Sequence, residues 1–282
     1  MSTLRALHAR GRDLFRGLPG ADPALESRLL LQAAAGLDAP AFFASPEAPV
    51  SRAVERRFEA LAARRLSRVP LAYLLGEREF WSLAFAVTPA VLIPRPETEL
   101  LVETALALAP RTGGTIVEIG TGSGAVAVAL ARELPGARIV ATDISRRALA
   151  VARANAARHG VRVEFVEADL FRGLGRRVAP GGADLVISNP PYVAASEWPE
   201  LALEVRREPR RALVAGPTGL EIIVRLIGGA GPFLRSGGHL LVETGRGQAR
   251  RAQALFGADW EGKAAFKDLR GICRVVGARR GA

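Results

Sequence analysis

The sequence predicts an α/β protein: a doubly wound, mostly parallel sheet preceded by a small helical domain and a β-hairpin linker. Three observations predict it. From residue 115 onward, short apolar runs of strand length alternate with helical stretches, the pattern of a parallel sheet covered on both faces. Up to about residue 75, apolar residues recur at helical spacing and no strand signal interrupts them. Between the two, "EREFWSLAFAVTP" (77–89) alternates apolar and polar residues and carries aromatics, as a strand pair does. The chain divides on this reading into 1–75, a linker 76–96, and 97–282.

The helical part rests on two stretches. "PALESRLLLQAAAGL" places Leu25, Leu29, Ala33 and Leu37 near one face, with Asp22 as N-cap and Pro23 at the first helical position. "SRAVERRFEALAARRLS" repeats the pattern through Val54, Phe58, Leu61 and Leu66, capped by Ser51. After the hairpin, "VLIPRPETELLVETALALA" turns into a helix whose first-turn acids, Glu97 and Glu99, complement its positive end. Strands are expected at 115–119, 138–142, 161–166, 184–188 and 238–243. The terminal "GICRVVGAR" is a last strand, at the edge or antiparallel. Trp81, Phe85 and Cys273 are expected to pack in the interior.

The totals bound the class. A chain of 282 residues, 49% apolar and 24% charged, is ordinary for a globular protein. No stretch approaches the roughly 20 apolar residues of a membrane span, and the N-terminus lacks a signal-peptide core. The single cysteine fits a reducing compartment, so the cytoplasm is expected. The formal charge of +11 comes almost wholly from Arg, spread along the chain, with Lys only at 263 and 267. That predicts a generally basic, solvated surface without a dedicated nucleic-acid groove, compatible with a weak attraction to ribosomes. His8, His159 and His239 lack metal-ligand spacing, so no metal is expected.

"VEIGTGSGAVAVAL" is a strand, a glycine-rich turn and a helix. Gly120, Gly122 and Gly124 permit a sharp turn and a close approach by a ligand. The spacing is G-x-G-x-G, unlike the G-x-G-x-x-G of dinucleotide folds. Asp143 closes the second strand, where a carboxylate can accept both hydroxyls of a ribose. Asp169 follows the third, where a side chain can meet an adenine edge. Three successive strand ends thus carry a glycine turn and two acids. The arrangement resembles the class I methyltransferases that use S-adenosylmethionine, with a Rossmann-like seven-stranded sheet. The resemblance implies that Glu118 and the loop Gly120, Thr121, Gly122, Ser123 and Gly124 hold the methionine portion. It implies Asp143 for the ribose, and Asp169 with Leu170 for the adenine.

The fourth strand of this region, "DLVIS", ends in Asn189-Pro190-Pro191-Tyr192. Two prolines surrender two backbone donors and fix two φ angles, leaving a stiff turn with free carbonyls, an amide and an aromatic ring. The Asn189 side-chain oxygen and the Pro190 carbonyl can each accept one N–H of a planar NH2 group, while Tyr192 packs on its flat face. Such a turn after the fourth strand points to methylation of an amino or amide nitrogen. Adenine in DNA, guanine in RNA and a protein glutamine all offer that geometry.

The segments "YLLGEREFWSLAFAVTPAVLIPRPETELLVE", "EIGTGSGAVAVALA", "ISNPPYV", "EPRRALVAGPTGLEII" and "DLRGICRVV" make the resemblance specific. Together they resemble the protein-(glutamine-N5) methyltransferases that modify peptide chain release factors, over nearly the whole chain. The resemblance implies methyl transfer to the glutamine of the Gly-Gly-Gln loop of class I release factors, with S-adenosylhomocysteine as product. It adds Asn189 to the cofactor contacts, gives the 189–192 turn to the substrate, and sets Pro94, Arg95 and Pro96 at the cofactor entrance. Position 170 departs from the family, where an aromatic is common. Arg207 departs too, where relatives often carry Tyr before Glu208. The alternatives are a ribosomal-protein glutamine methyltransferase, a DNA or RNA amino methyltransferase, and a non-catalytic cofactor-binding regulator.

Overall fold

The computed structural model describes residues 2–110 and 112–282. They form two compact units, one running up to Glu77 and including Ala202–Arg207, the other comprising Arg78–Leu201 and Glu208–Ala282.

The first unit contains α1 (Leu4–Phe15), α2 (Pro23–Ala35), α3 (Ala39–Ala44), α4 (Arg52–Leu66) and α5 (Leu71–Leu75). Asp22 caps α2 by accepting the Ala24 and Leu25 N–H groups, and Ser51 caps α4 through Val54 N–H. The buried face of α2 is not the expected one. Leu30, Leu31 and Ala34 are buried with Glu26 and Ser27, whereas Leu25 and Ala33 are exposed. Close contact with α1 sets this face: Ser27 Oγ donates to the His8 carbonyl at 2.8 Å. A Cβ on Gly11 would lie 2.4 Å from that same oxygen. In α4 the expected face holds, with Phe58 buried and Val54 and Leu61 packed against the same core, except that Arg65 goes inward beside Ala62 and Leu66 is exposed. Arg65 donates to both Glu26 oxygens, at 2.6 and 3.1 Å, and to Glu204 at 2.9 Å. Arg68 takes the other Glu204 oxygen at 2.7 Å. A buried fork–fork pair thus fixes the helix faces and ties segment 202–207 into the unit.

The second unit begins one residue into a hairpin, β1 (Glu77–Phe80) and β2 (Leu83–Ala86). Trp81 and Ser82 both have positive φ, as a two-residue hairpin turn of matching twist requires. Glu99 accepts the Trp81 backbone N–H at 2.8 Å, and Glu133 accepts the indole N–H at 2.8 Å. Glu99, expected as a helix-start acid, therefore also secures the turn.

Next come α6 (Glu99–Leu108), β3 (Thr115–Ile119), α7 (Ala125–Glu133), β4 (Arg138–Asp143), α8 (Arg146–Arg158), β5 (Glu164–Glu167) and β6 (Ala183–Ser188). A short pair, β7 (Val193–Ala194) and β8 (Val214–Gly216), precedes α9 (Glu221–Ala230), β9 (Leu234–Glu243), α10 (Ala249–Gln253), β10 (Trp260–Lys267) and β11 (Cys273–Arg280). The seven-stranded sheet has the order β10-β11-β9-β6-β3-β4-β5, parallel from β9 to β5. The last strand is antiparallel, as allowed, but lies inside the sheet between β9 and β10. Alternate residues feed two cores: Ile116, Leu185, Ile187 and Leu241 on one face, Val117, Val186, Leu240 and Val242 on the other.

Strand order reverses at β3, with β4 on one side and β6 on the other. The carboxyl ends of β3 and β6 therefore flank a topological switch point, where open α/β sheets hold their ligands. No helix among the described residues is long and apolar enough to cross a membrane.

Arg65→Met is expected to cost about 3–5 kcal/mol in denaturant unfolding, because it leaves Glu26 charged, buried and unpaired. Adding Glu26→Leu should recover most of that loss. A single-variant loss below about 1 kcal/mol would show the pair to be incidental.

Candidate active site

A cavity of about 410 Å³ opens at the switch point, within the range of roughly 300–1,000 Å³ that suits small ligands. Its wall gathers Pro94, Arg95, Glu118, Gly120, Thr121, Gly122, Ser123, Asp143, Asp169, Leu170, Asn189 and Pro191. Gly124, Pro96, Pro190 and Tyr192 are not among the lining residues. Gly124 instead starts α7 with φ +80°, and a Cβ there would lie 3.0 Å from the Cβ of Ala152. Its lack of a side chain serves helix packing, a reason the motif alone does not separate from ligand approach.

The glycine loop is held from below. Gly120 and Thr121 N–H both donate to the Thr142 carbonyl at the end of β4, at 2.9 and 2.8 Å. Gly120 and Gly122 have positive φ, and a Cβ on either would meet no protein atom within 4 Å. The buried Asn155 amide bonds Ala86 on the hairpin and the Ser123 carbonyl in the loop. Asp143 accepts Gly122 N–H at 2.9 Å and Ser145 N–H at 2.8 Å, one on each oxygen. Burial pushes its carboxyl above the usual range, opposed by those N–H groups and by Arg211. Each oxygen keeps a lone pair for a further donor, as a ribose requires.

Asp169 differs from expectation in its company. Arg225 from α9 spans both its oxygens at 3.0 and 3.1 Å, and both residues line the cavity. Leu170 beside it has a left-handed backbone, φ +52°. Arg95 pairs with Glu208, which is buried and also accepts Ile93 N–H at 3.0 Å. That bond draws segment 93–95 to the chain that follows the proline turn.

Asn189 is the most informative side chain. Its Nδ2 donates to Thr98 Oγ1 at 3.0 Å, and its Oδ1, buried, has no hydrogen-bond partner. Tyr192 is pinned through its carbonyl by Gln248 at 2.8 Å; burial, with the nearby Glu243 charge, pushes its phenol up to about 12. Thr98, Glu208, Arg211, Arg225 and Glu243 escaped the sequence reading. Glu243 had one usable signal, its position at the carboxyl end of a parallel strand.

Two family models match the chain. "Methyltransferase small domain" covers residues 96–218, and "PrmC N-terminal domain" covers residues 6–76. A protein from Geobacter sulfurreducens named release factor glutamine methyltransferase is 42% identical over 264 residues, 91% of this chain and 89% of its own. One of the same name from Bordetella pertussis is 44% identical over 257 residues, 90% and 94% of the two chains. The chain belongs to the release factor glutamine methyltransferases. Among solved structures, a methyltransferase from Pyrococcus furiosus superposes with a TM-score of 0.54 at 18% identity. It spans 78% of this chain and all of its own, and it shares the fold.

In this methyltransferase Glu118 lies at the cavity floor, buried, and accepts the Thr121 hydroxyl at 2.6 Å. Burial pushes its carboxyl from 4.5 up to about 7, against the pull of Thr121. The folded state therefore binds this proton more tightly than the unfolded chain. Its contribution is full below pH 4.5 and is lost as pH rises through about 7. Glu118→Gln is expected to remove its share of that slope in denaturant titrations, leaving the share of Glu243, which burial also pushes up to about 7. A slope undiminished by the substitution would assign the titration elsewhere.

Proposed function

We propose that the protein transfers a methyl group from S-adenosylmethionine to the side-chain amide nitrogen, N5, of the glutamine in the Gly-Gly-Gln motif of class I release factors. The reading makes it a cytoplasmic enzyme with a protein substrate. The observation that carries it is the state of Asn189. One end of its amide is committed to Thr98, and the other is a buried acceptor without a donor. Buried polar atoms are rarely left so, and an arriving ligand donor is a sufficient reason.

The cavity fits the cofactor in its donor set. Asp143 has lone pairs for two hydroxyls, Gly120 and Gly122 leave the wall free of Cβ atoms, and Glu118 and Asp143, unlike the Arg225-paired Asp169, offer acceptors without a cation already bound to them. When bound, S-adenosylmethionine supplies a methyl carbon activated by a positive sulfonium. The protein's task is to present the nucleophile. An amide nitrogen is weak because its lone pair is delocalised into the carbonyl. Asn189 Oδ1 accepts one of the two substrate N–H groups. The Pro190 carbonyl, although Pro190 does not line the cavity itself, is assigned the other as the next acceptor along the turn. Together they orient the nitrogen and favour the positive charge growing on it. The prolines hold both acceptors still. The surplus proton leaves the nitrogen after the N–C bond has formed, so no side chain need remove it first.

The relatives' names favour a release factor over a ribosomal protein or nucleic acid as substrate. Incubation with methyl-labelled cofactor, a release factor, ribosomal protein and duplex DNA, followed by mass-spectrometric mapping, should place the label on the release-factor glutamine. Label confined to nucleic acid or ribosomal protein would overturn the reading. Asn189→Ala should keep most cofactor affinity by calorimetry and lose on the order of 10²–10³ in kcat. Near-wild-type turnover would contradict the role given to its oxygen.

A further inference from the structure

Asn189 can act as an acceptor in only one of its two amide orientations. Turned by 180°, it would present two donors to the substrate's own N–H groups and repel them. The 3.0 Å bond from Nδ2 to Thr98 Oγ1 selects the useful orientation only if the Thr98 oxygen accepts, so its own proton must go elsewhere.

The neighbouring strand supplies the acceptor. Ser188 pairs with Val242 in the parallel register of β6 and β9, so Asn189 and Glu243 leave the sheet side by side. Thr98 and Glu243 are both buried, and the Thr98 hydroxyl draws the Glu243 carboxyl downward, as a nearby donor does. Glu243 Oε2 has no partner of its own. We infer that Glu243 and Thr98 are positioning residues for methyl transfer: the Glu243 carboxylate takes the Thr98 proton, so that Thr98 accepts Asn189 Nδ2 and leaves Asn189 Oδ1 for the substrate. The inference rests on the function proposed above.

Such a relay is sensitive to protonation. A neutral Glu243 can donate to Thr98 as well as accept from it, so the Thr98 hydroxyl is no longer held toward the carboxylate and the reversed amide becomes accessible. Burial pushes Glu243 up to about 7; the Thr98 hydroxyl and the charges of Arg274 and Arg95 act downward, and Glu97 acts upward. Tyr192 faces it as well and is neutral in this range. The relay is thus set above about pH 7 and released below it.

The test compares kcat for a release factor across pH 6–9 in wild type, Glu243→Ala, Glu243→Gln, Thr98→Val and Thr98→Ser. It also follows the Asn189 side-chain amide by nitrogen-15 NMR without cofactor. Wild-type kcat should rise with pH through about 7. Glu243→Ala and Thr98→Val should each lose on the order of tenfold above that pH. Glu243→Gln, the uncharged isostere, should hold a flat profile near the wild-type rate at the acid end of that range, and Thr98→Ser, which keeps the hydroxyl, should recover most of the loss of Thr98→Val. The Asn189 amide signals should titrate in wild type and not in Glu243→Gln. An inflection that persists in Glu243→Gln would belong to another group, such as Glu118, and would overturn the inference. So would Glu243→Ala and Thr98→Val at wild-type rates, or Asn189 signals that ignore pH. A wild-type protein that never methylates a release factor would overturn the substrate reading alone, because the NMR titration still decides the relay.

Discussion

A carboxamide nitrogen attacks a carbon poorly, and on the proposed function the surroundings of Asn189 answer to what would help it do so. Both its hydrogens need acceptors fixed in place, and fixed acceptors in a protein interior are costly until a donor arrives. Leaving one such oxygen unpaired costs on the order of 1–3 kcal/mol. Asn189 Oδ1 is in that condition, buried and without a partner. It persists because everything around it is over-determined: strand β6 in mid-sheet behind it, two prolines after it, and Thr98 on the other end of its amide.

The sheet delivers the remaining parts by position. Parallel strands β3, β4 and β6 end together, which brings the glycine loop, Asp143 and Asn189 to one cavity. Polar anchors then fix the loops at that end. Thr142 holds the glycine loop through its carbonyl, Asn155 links that loop to the hairpin, and Glu208 gathers Ile93 and Arg95. These anchors use backbone N–H and C=O groups that would otherwise be orphaned at loop ends, so they stiffen the site and satisfy buried polar groups at once.

Much of this was legible in the sequence, and the parts that were not share a cause. Apolar runs gave the five parallel strands, because a strand buried on both faces must be apolar throughout. Asp22 and Ser51 announced their helices through local chemistry. The third strand was placed too early, since Val161 N–H still closes the preceding helix by bonding Ala156 and pairing starts at Glu164. Strand β10, "WEGKAAFK", carries no apolar run, because it is an edge strand whose charges face water and whose register shifts between Glu261 and Ala264. The face of α2 and the inward position of Arg65 in α4 escape periodicity, because Arg65 and Glu26 go inward as a pair 39 residues apart. Glu208 and Glu243 were missed likewise, being recruited by partners far along the chain.

The most direct measurement is a crystal structure with S-adenosylhomocysteine and a release-factor fragment bearing the Gly-Gly-Gln loop. The account requires the glutamine's amide nitrogen to sit about 3 Å from both Asn189 Oδ1 and the Pro190 carbonyl, with its free face toward the cofactor sulfur. A carboxamide bonded elsewhere, or a 189–192 turn rotated away from the sulfur with no room for an amide between them, would contradict it.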